Sequence, residues 1–115
     1  MNPLDSATYK FHSPGVSDHA GYFTIVGSPI PEAFFLNSKN MDSFQWITAL
    51  MTSYSKLIDA GVPIESIIKS MKDTFQPGGS YFIQGTGQEV NSVVHHLGLI
   101  LERHVQHIRS YNHAR

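Results

Sequence analysis

An apolar stripe at Phe44, Ile47, Leu50, Met51, Tyr54, Leu57 and Ile58 constrains this chain more than any other feature. Steps of three and four residues place these side chains on one face of a helix, and that face is wide enough to require a partner surface. The stripe is bracketed on both sides. Asn37-Ser38-Lys39-Asn40-Met41-Asp42 is a polar helix start holding one cation. Gly61 supplies a left-handed cap, and Pro63 opens a following helix. The residues before and after must therefore provide something for this helix to lie on.

They provide strands before it and helices after it. Ala7 to His12 alternates, with Tyr9 and Phe11 on one side and Thr8 and Lys10 on the other, and reads as a strand. Ser13-Pro14-Gly15 is a turn. Tyr22 to Val26, rich in aromatic and β-branched residues, is a second strand. Gly27-Ser28-Pro29-Ile30-Pro31 breaks it, and Glu32 to Asn37 makes a third, with the last two forming a hairpin. Ile64, Ile67, Ile68, Met71 and Phe75 define a second helix, whose outer side carries Glu65, Lys69, Lys72 and Asp73. Pro77-Gly78-Gly79-Ser80 ends it, and Tyr81 to Gln88 reads as a Gly-rich connection. A third helix runs from about Glu89 to Tyr111 on the stripe Val90, Val93, Val94, Leu97, Leu101, Val105 and Ile108. The expected fold is α+β, a small antiparallel sheet of about three strands packed against three helices. One domain spans 7–111, between a flexible N-terminus (1–6) and a frayed tail (112–115).

Composition narrows the function. At 115 residues and 41% hydrophobic, the chain can bury one core without staples. Only 15% of residues are charged and the net charge is −1, so no affinity for polymeric nucleic acid follows, and a thinly charged surface favours self-association. There is no cysteine. That excludes thiol nucleophiles, thiolate metal sites and thiol redox chemistry, and suits a cytoplasmic protein. No signal peptide is visible, and no apolar run approaches the ~18 residues of a membrane span.

Three stretches could carry chemistry. The helix start at Asn37, Ser38, Lys39 and Asn40 offers free backbone N–H groups, side-chain donors and a cation, which together suit an anion. Its plain structural reading is capping by Ser38 or Asn40, with Lys39 in water. Gly78, Gly79 and Ser80, followed by Tyr81 and Phe82, let backbone approach a ligand beside stacking rings, although no Walker phosphate loop is present. A helix cap followed by a loop whose aromatics plug the core is the plainer and preferred account of them. The last helix is rich in histidine. His104 falls in the apolar stripe and reads as a hydrogen-bonded core residue. His95 and Glu102 share one outer face, and His96, Arg103 and His107 line a neighbouring one. No third ligand completes a metal site with His104 and His107, so no metal or other cofactor is expected.

Assembly has its own signals. Gly98 sits in mid-helix, at a cost of about 1 kcal/mol relative to alanine, and points to close approach of another backbone. Leu99 stands on the polar face of the same helix. Trp46 flanks a strip of small residues, Ala49, Ser53 and Ala60. These features favour a homo-oligomer. No catalytic constellation is visible: no nucleophile elbow, no HExxH and no convergent carboxylate pair.

Several segments together resemble the small C-terminal domain of adenosylcobalamin-dependent (class II) ribonucleotide reductases, including the form carried on a separate small subunit. They are Thr8-Tyr9-Lys10-Phe11, the hairpin, Ala33 through Met41, Gln45-Trp46-Ile47-Thr48-Ala49-Leu50, Phe75 through Tyr81, and Val90-Asn91-Ser92-Val93-Val94 through His104. The Asn-Ser-Lys-Asn and Pro-Gly-Gly segments are the most specific. The reductase's radical cysteine, redox cysteines and cobalamin barrel are absent from this chain, so it cannot itself reduce a ribonucleotide. The resemblance implies contact with a nucleotide or with a reductase. Asn91, Ser92 and His95, at the start of the third helix, then join Lys39, Trp46, Gly78 and Gly79 as candidate ligand contacts.

The resulting expectation is a non-enzymatic, oligomeric domain that binds, and so sequesters, a nucleotide or related phosphorylated ligand. The alternatives are a subunit docking on a reductase large chain and a nucleotide hydrolase using His95 or His96.

Overall fold

The computed structural model describes residues 6–27 and 30–113. The sequence readings at residues 1–5, at Ser28 and Pro29, and at 114–115 lie outside the described residues. Strand β1 (Ser6–Phe11), β2 (Gly21–Val26) and β3 (Ala33–Ser38) form an antiparallel sheet of order β1-β2-β3. Each strand begins and ends within one residue of its predicted limits. The register pairs Phe11 with Gly21 and Phe23 with Leu36, so Tyr9, Phe11, Phe23, Ile25, Phe34 and Leu36 all face the helices. The other face carries Thr8, Lys10, Tyr22, Thr24 and Phe35. No helix covers Tyr22 or Phe35, and both are exposed.

Gly21 has a specific task in this sheet. A Cβ there would meet the Phe11 ring at 2.3 Å, so the ring lies flat over the cross-strand glycine. From that position Phe11 makes edge contacts with Phe44 and with His96, at centroid distances of 6.2 and 5.7 Å. One side chain thus joins the sheet to two helical elements.

The first helix starts later than predicted. Met41–Phe44 is a 3₁₀ turn, and α1 proper is Gln45–Asp59. It lies along β3, where the Ser55 hydroxyl accepts the Phe34 N–H at 3.0 Å and satisfies a backbone donor at the sheet edge. Leu57, predicted in the buried stripe, is 43% exposed. The helix stops as expected. Gly61 has φ of +97°, and the bonds Val62 N–H to Leu57 O and Gly61 N–H to Ile58 O form a Schellman cap. Pro63 is the N-cap of α2 (Ile64–Lys72), one position ahead of its predicted role. Phe75, assigned to the α2 stripe, lies beyond that helix and is 64% exposed.

The predicted connection over 81–88 contains a short hairpin. β4 (Tyr81–Phe82) pairs with β5 (Glu89–Val90), so Val90 leaves the helical stripe and α3 is Val93–His113. Ser92 explains the later start. Its hydroxyl accepts the His95 N–H at 3.0 Å and donates to Thr74 O at 2.7 Å, capping α3 and tying it to the end of α2.

Helix α3 crosses α2 at Gly98. A Cβ on Gly98 would lie 2.9 Å from Met71 Cβ and 3.2 Å from the Lys72 backbone nitrogen. The close approach read from the sequence as a sign of assembly is therefore internal. Leu99 is half-buried against the core rather than alone on a polar face.

Candidate functional site

Helix α3 carries a second stripe beside its core stripe. His96, Leu99, Ile100, Arg103, His104 and His107 recur in steps of three, four and one, which places them along one face. That face does not pack flush. With Tyr9 from β1 and Ile83, Thr86 and Gln88 from the β4–β5 loop, it lines a half-open cavity of about 440 Å³. The hairpin positions the loop: Ile83 N–H bonds Gln88 O at 2.7 Å, and Gly87 N–H bonds Ile83 O. Gly85 and Gly87 adopt φ of +91° and +71°, which a side chain would resist.

Two tyrosine–histidine pairs, one buried and one part-buried, set the chemistry of the wall. Tyr81 Oη lies 2.6 Å from His96 Nδ1, and Tyr9 Oη lies 2.6 Å from His104 Nδ1. His96 and His104 are both buried, so His96 is not the outer-face residue its helical position suggested. Burial, helped by the neighbouring His95, holds His96 down to about 4. Burial, helped by His107, also lowers His104. Burial raises both tyrosines. All four groups are neutral near pH 7. Arg103 and His107 are exposed at the rim, and among the described residues no carboxylate lines the cavity. A neutral, partly apolar interior with cationic capacity at its mouth can hold a ring compound bearing an anion.

The residues singled out from sequence fall in two other places. Asn37 and Lys39 are exposed, and Lys39 does not line this cavity. Ser38 is buried, donates to Ala20 O and accepts the Asn40 N–H, while the Asn40 side chain donates to Ser17 Oγ at 3.4 Å. Neither Asn40 nor Phe44 makes a side-chain cap bond to the helical turn that follows it. Trp46 is exposed on α1. The second group is drawn together by bonds of its own. Gln76 N–H reaches Asn91 O, Gly79 N–H reaches Gln76 O, and Asn91 N–H reaches His95 Nδ1 at 3.1 Å. Gly78, Gly79, Ser80 and Tyr81 thus sit beside Asn91, Ser92 and His95, but Ser92 closes the helix start with its own side chain. Among the described residues no hydrogen bond joins this group to the 37–40 segment.

A second depression, between α2 and α3, is lined by charge. Lys72 pairs with Glu102 at 2.9 Å, Lys69 with Asp73 at 2.7 Å, and Arg109 with Glu65. Its cations are already matched by carboxylates. Among the described residues no group of three or more metal-ligating side chains converges, and no helix is long and apolar enough to cross a membrane.

Sequence reasoning placed only Tyr81 of these histidine partners among its candidates and missed the cavity. The available signal was the 96/99/100/103/104/107 spacing, whose mixture of imidazole, guanidinium and aliphatic groups resembles neither a core stripe nor a solvent face.

A meander of three strands backed by three helices, with a cavity between the sheet edge and the last helix, is a small α+β domain. The chain belongs to the TSCPD domain family, whose model matches residues 3–105. TSCPD domains occur in proteins associated with class II ribonucleotide reductases. No curated protein and no solved structure matches the chain.

Proposed function

We propose that this chain is a non-enzymatic binding domain that holds a small nucleotide or related phosphorylated ligand as a homo-oligomer, keeping that ligand from other partners. The cavity beside α3 carries the proposal. Its volume of about 440 Å³ falls within the range of ligand pockets. Its lining pairs an aliphatic wall with donors and cations and, among the described residues, includes no opposing carboxylate. The exposed strip around Trp46 and the uncovered Tyr22 and Phe35 offer surface for self-association.

The test is a thermal-shift panel of nucleotides and cyclic nucleotides, followed by calorimetry on any stabilising compound. A ligand at a hundred times its Kd adds about 2.7 kcal/mol to native stability, a readily measured shift. Lys39→Ala and Arg103→Ala separate the helix-start surface from the cavity. Bound compound recovered intact after denaturation distinguishes holding from hydrolysis. Indifference across the panel rejects the proposal.

A second reading, docking on a class II reductase large chain, draws on the family's association with these enzymes. It is supported if the two chains co-purify and reductase activity changes on addition, and rejected if they elute apart.

A further inference from the structure

The two tyrosine–histidine pairs determine what the cavity can recognise. Each tyrosine stays protonated near neutral pH, since burial pushes its pKa further above an ordinary value of about 10. Among the described residues the only hydrogen-bond partner of either hydroxyl is a histidine Nδ1. A hydroxyl that donates to that nitrogen places its own proton in a bond, and the nitrogen must then be free of a proton to accept. A neutral imidazole accepting at Nδ1 carries its hydrogen on Nε2. Both rings also line the cavity. His96 and His104 stand eight residues apart on one helix, about 12 Å along its axis. His96 lies toward the buried end, and His107 marks the exposed end.

We propose that the cavity reads its ligand through the Nε2–H groups of His96 and His104, and that the ligand is a nucleoside monophosphate lying along α3. In this arrangement an uncharged acceptor on the base meets His96 in the interior. The sugar and ring edges pass His104, with the base and sugar against Leu99, Ile100 and Ile83. The phosphate sits at the mouth, between Arg103 and His107. The inference rests on the ligand-binding reading above and adds the site, the orientation and the need for acceptor atoms. Tyr9 and Tyr81 are positioning residues here, since they set the tautomers of the rings they hold; Tyr9 also forms part of the cavity wall.

Long-range ¹H–¹⁵N imidazole spectra of the full chain test it, with guanosine, uridine and adenosine 5′-monophosphates, the parent nucleosides and inorganic phosphate as probes. In the free protein, His96 and His104 are expected as Nε2–H tautomers. At least one monophosphate should shift both Nε2 resonances saturably, whereas inorganic phosphate alone should move His107 and leave His96 unchanged. Arg103→Ala should weaken the monophosphate at least tenfold and its nucleoside less than twofold. Tyr9→Phe should leave the melting profile cooperative, give His104 a mixture of tautomers and weaken binding severalfold. An Nδ1–H tautomer at either ring overturns the proposal. So do unmoved His96 and His104 resonances with a nucleotide that stabilises the protein in the thermal panel, an outcome that places binding elsewhere and leaves the ligand-binding reading intact. Silence of the whole panel rejects both.

Discussion

Gly98 separates an internal packing role from an intermolecular one. With Met71 Cβ 2.9 Å from where its own Cβ would be, any side chain at this position pushes α2 away from α3. Overpacking of this kind costs about 1–3 kcal/mol, and the gain in helix propensity returns about 1 kcal/mol. Gly98→Ala should therefore lower stability by up to about 2 kcal/mol in urea unfolding, independently of protein concentration. A neutral substitution would show that α2 gives way at little cost. Residue-level reading from the sequence reached His104 as a hydrogen-bonded core histidine because it interrupts an apolar stripe. It could not reach His96 in the same way, since that ring lies off the stripe. The partners gave no local clue either: Tyr9 is 95 positions from His104.

Among the elements, α3 depends most on how it begins. Ser92 is fully buried, caps the helix and anchors it to Thr74. Ser92→Ala removes both bonds and leaves Thr74 O without that donor, a loss of about 1–2 kcal/mol. The expected signature is a lower unfolding midpoint, with increased amide exchange over 93–96 ahead of the rest of α3. Periodicity found all three helices and the three long strands, because each buries a face at its own repeat. It overran the start of α3, since Val90 keeps step with the helical stripe while belonging to β5. Two-residue strands are too short for alternation to register. The Schellman cap at Gly61 was legible, because a glycine and a proline in that order leave the chain few other conformations there.

For the molecule as a whole, the buried histidines make stability depend on pH. Unfolded, each imidazole takes a proton near pH 6.5. Folded, His96 resists protonation down to about 4 because it is buried, and burial lowers His104 and His95 in the same direction. Between these limits the unfolded chain binds more protons, so stability falls as pH drops through that window and levels off below it. For His96 alone, about 1.4 kcal/mol per pH unit between 6.5 and about 4 sets a ceiling of about 3.5 kcal/mol, which solvent screening of a ring lining an open cavity reduces. Melting temperatures measured from pH 7.5 to 4 should decline, and a variant with His96→Gln should show a shallower decline. The cavity itself was not legible in the sequence, because it is assembled from β1, the β4–β5 loop and α3, and only the fold brings these together.

The interleaved stripes of α3 have a consequence for how this protein can drift over generations. Core positions 93, 94, 97, 101 and 105 alternate with cavity positions 96, 99, 100, 103, 104 and 107. Of the residues between them, His95 holds Asn91, Gly98 meets Met71 and Glu102 holds Lys72, which leaves Gln106. Between 93 and 107 neutral change has almost no foothold on this helix, and divergence among descendants should collect on its last turns, on the strands' open face and in the loops.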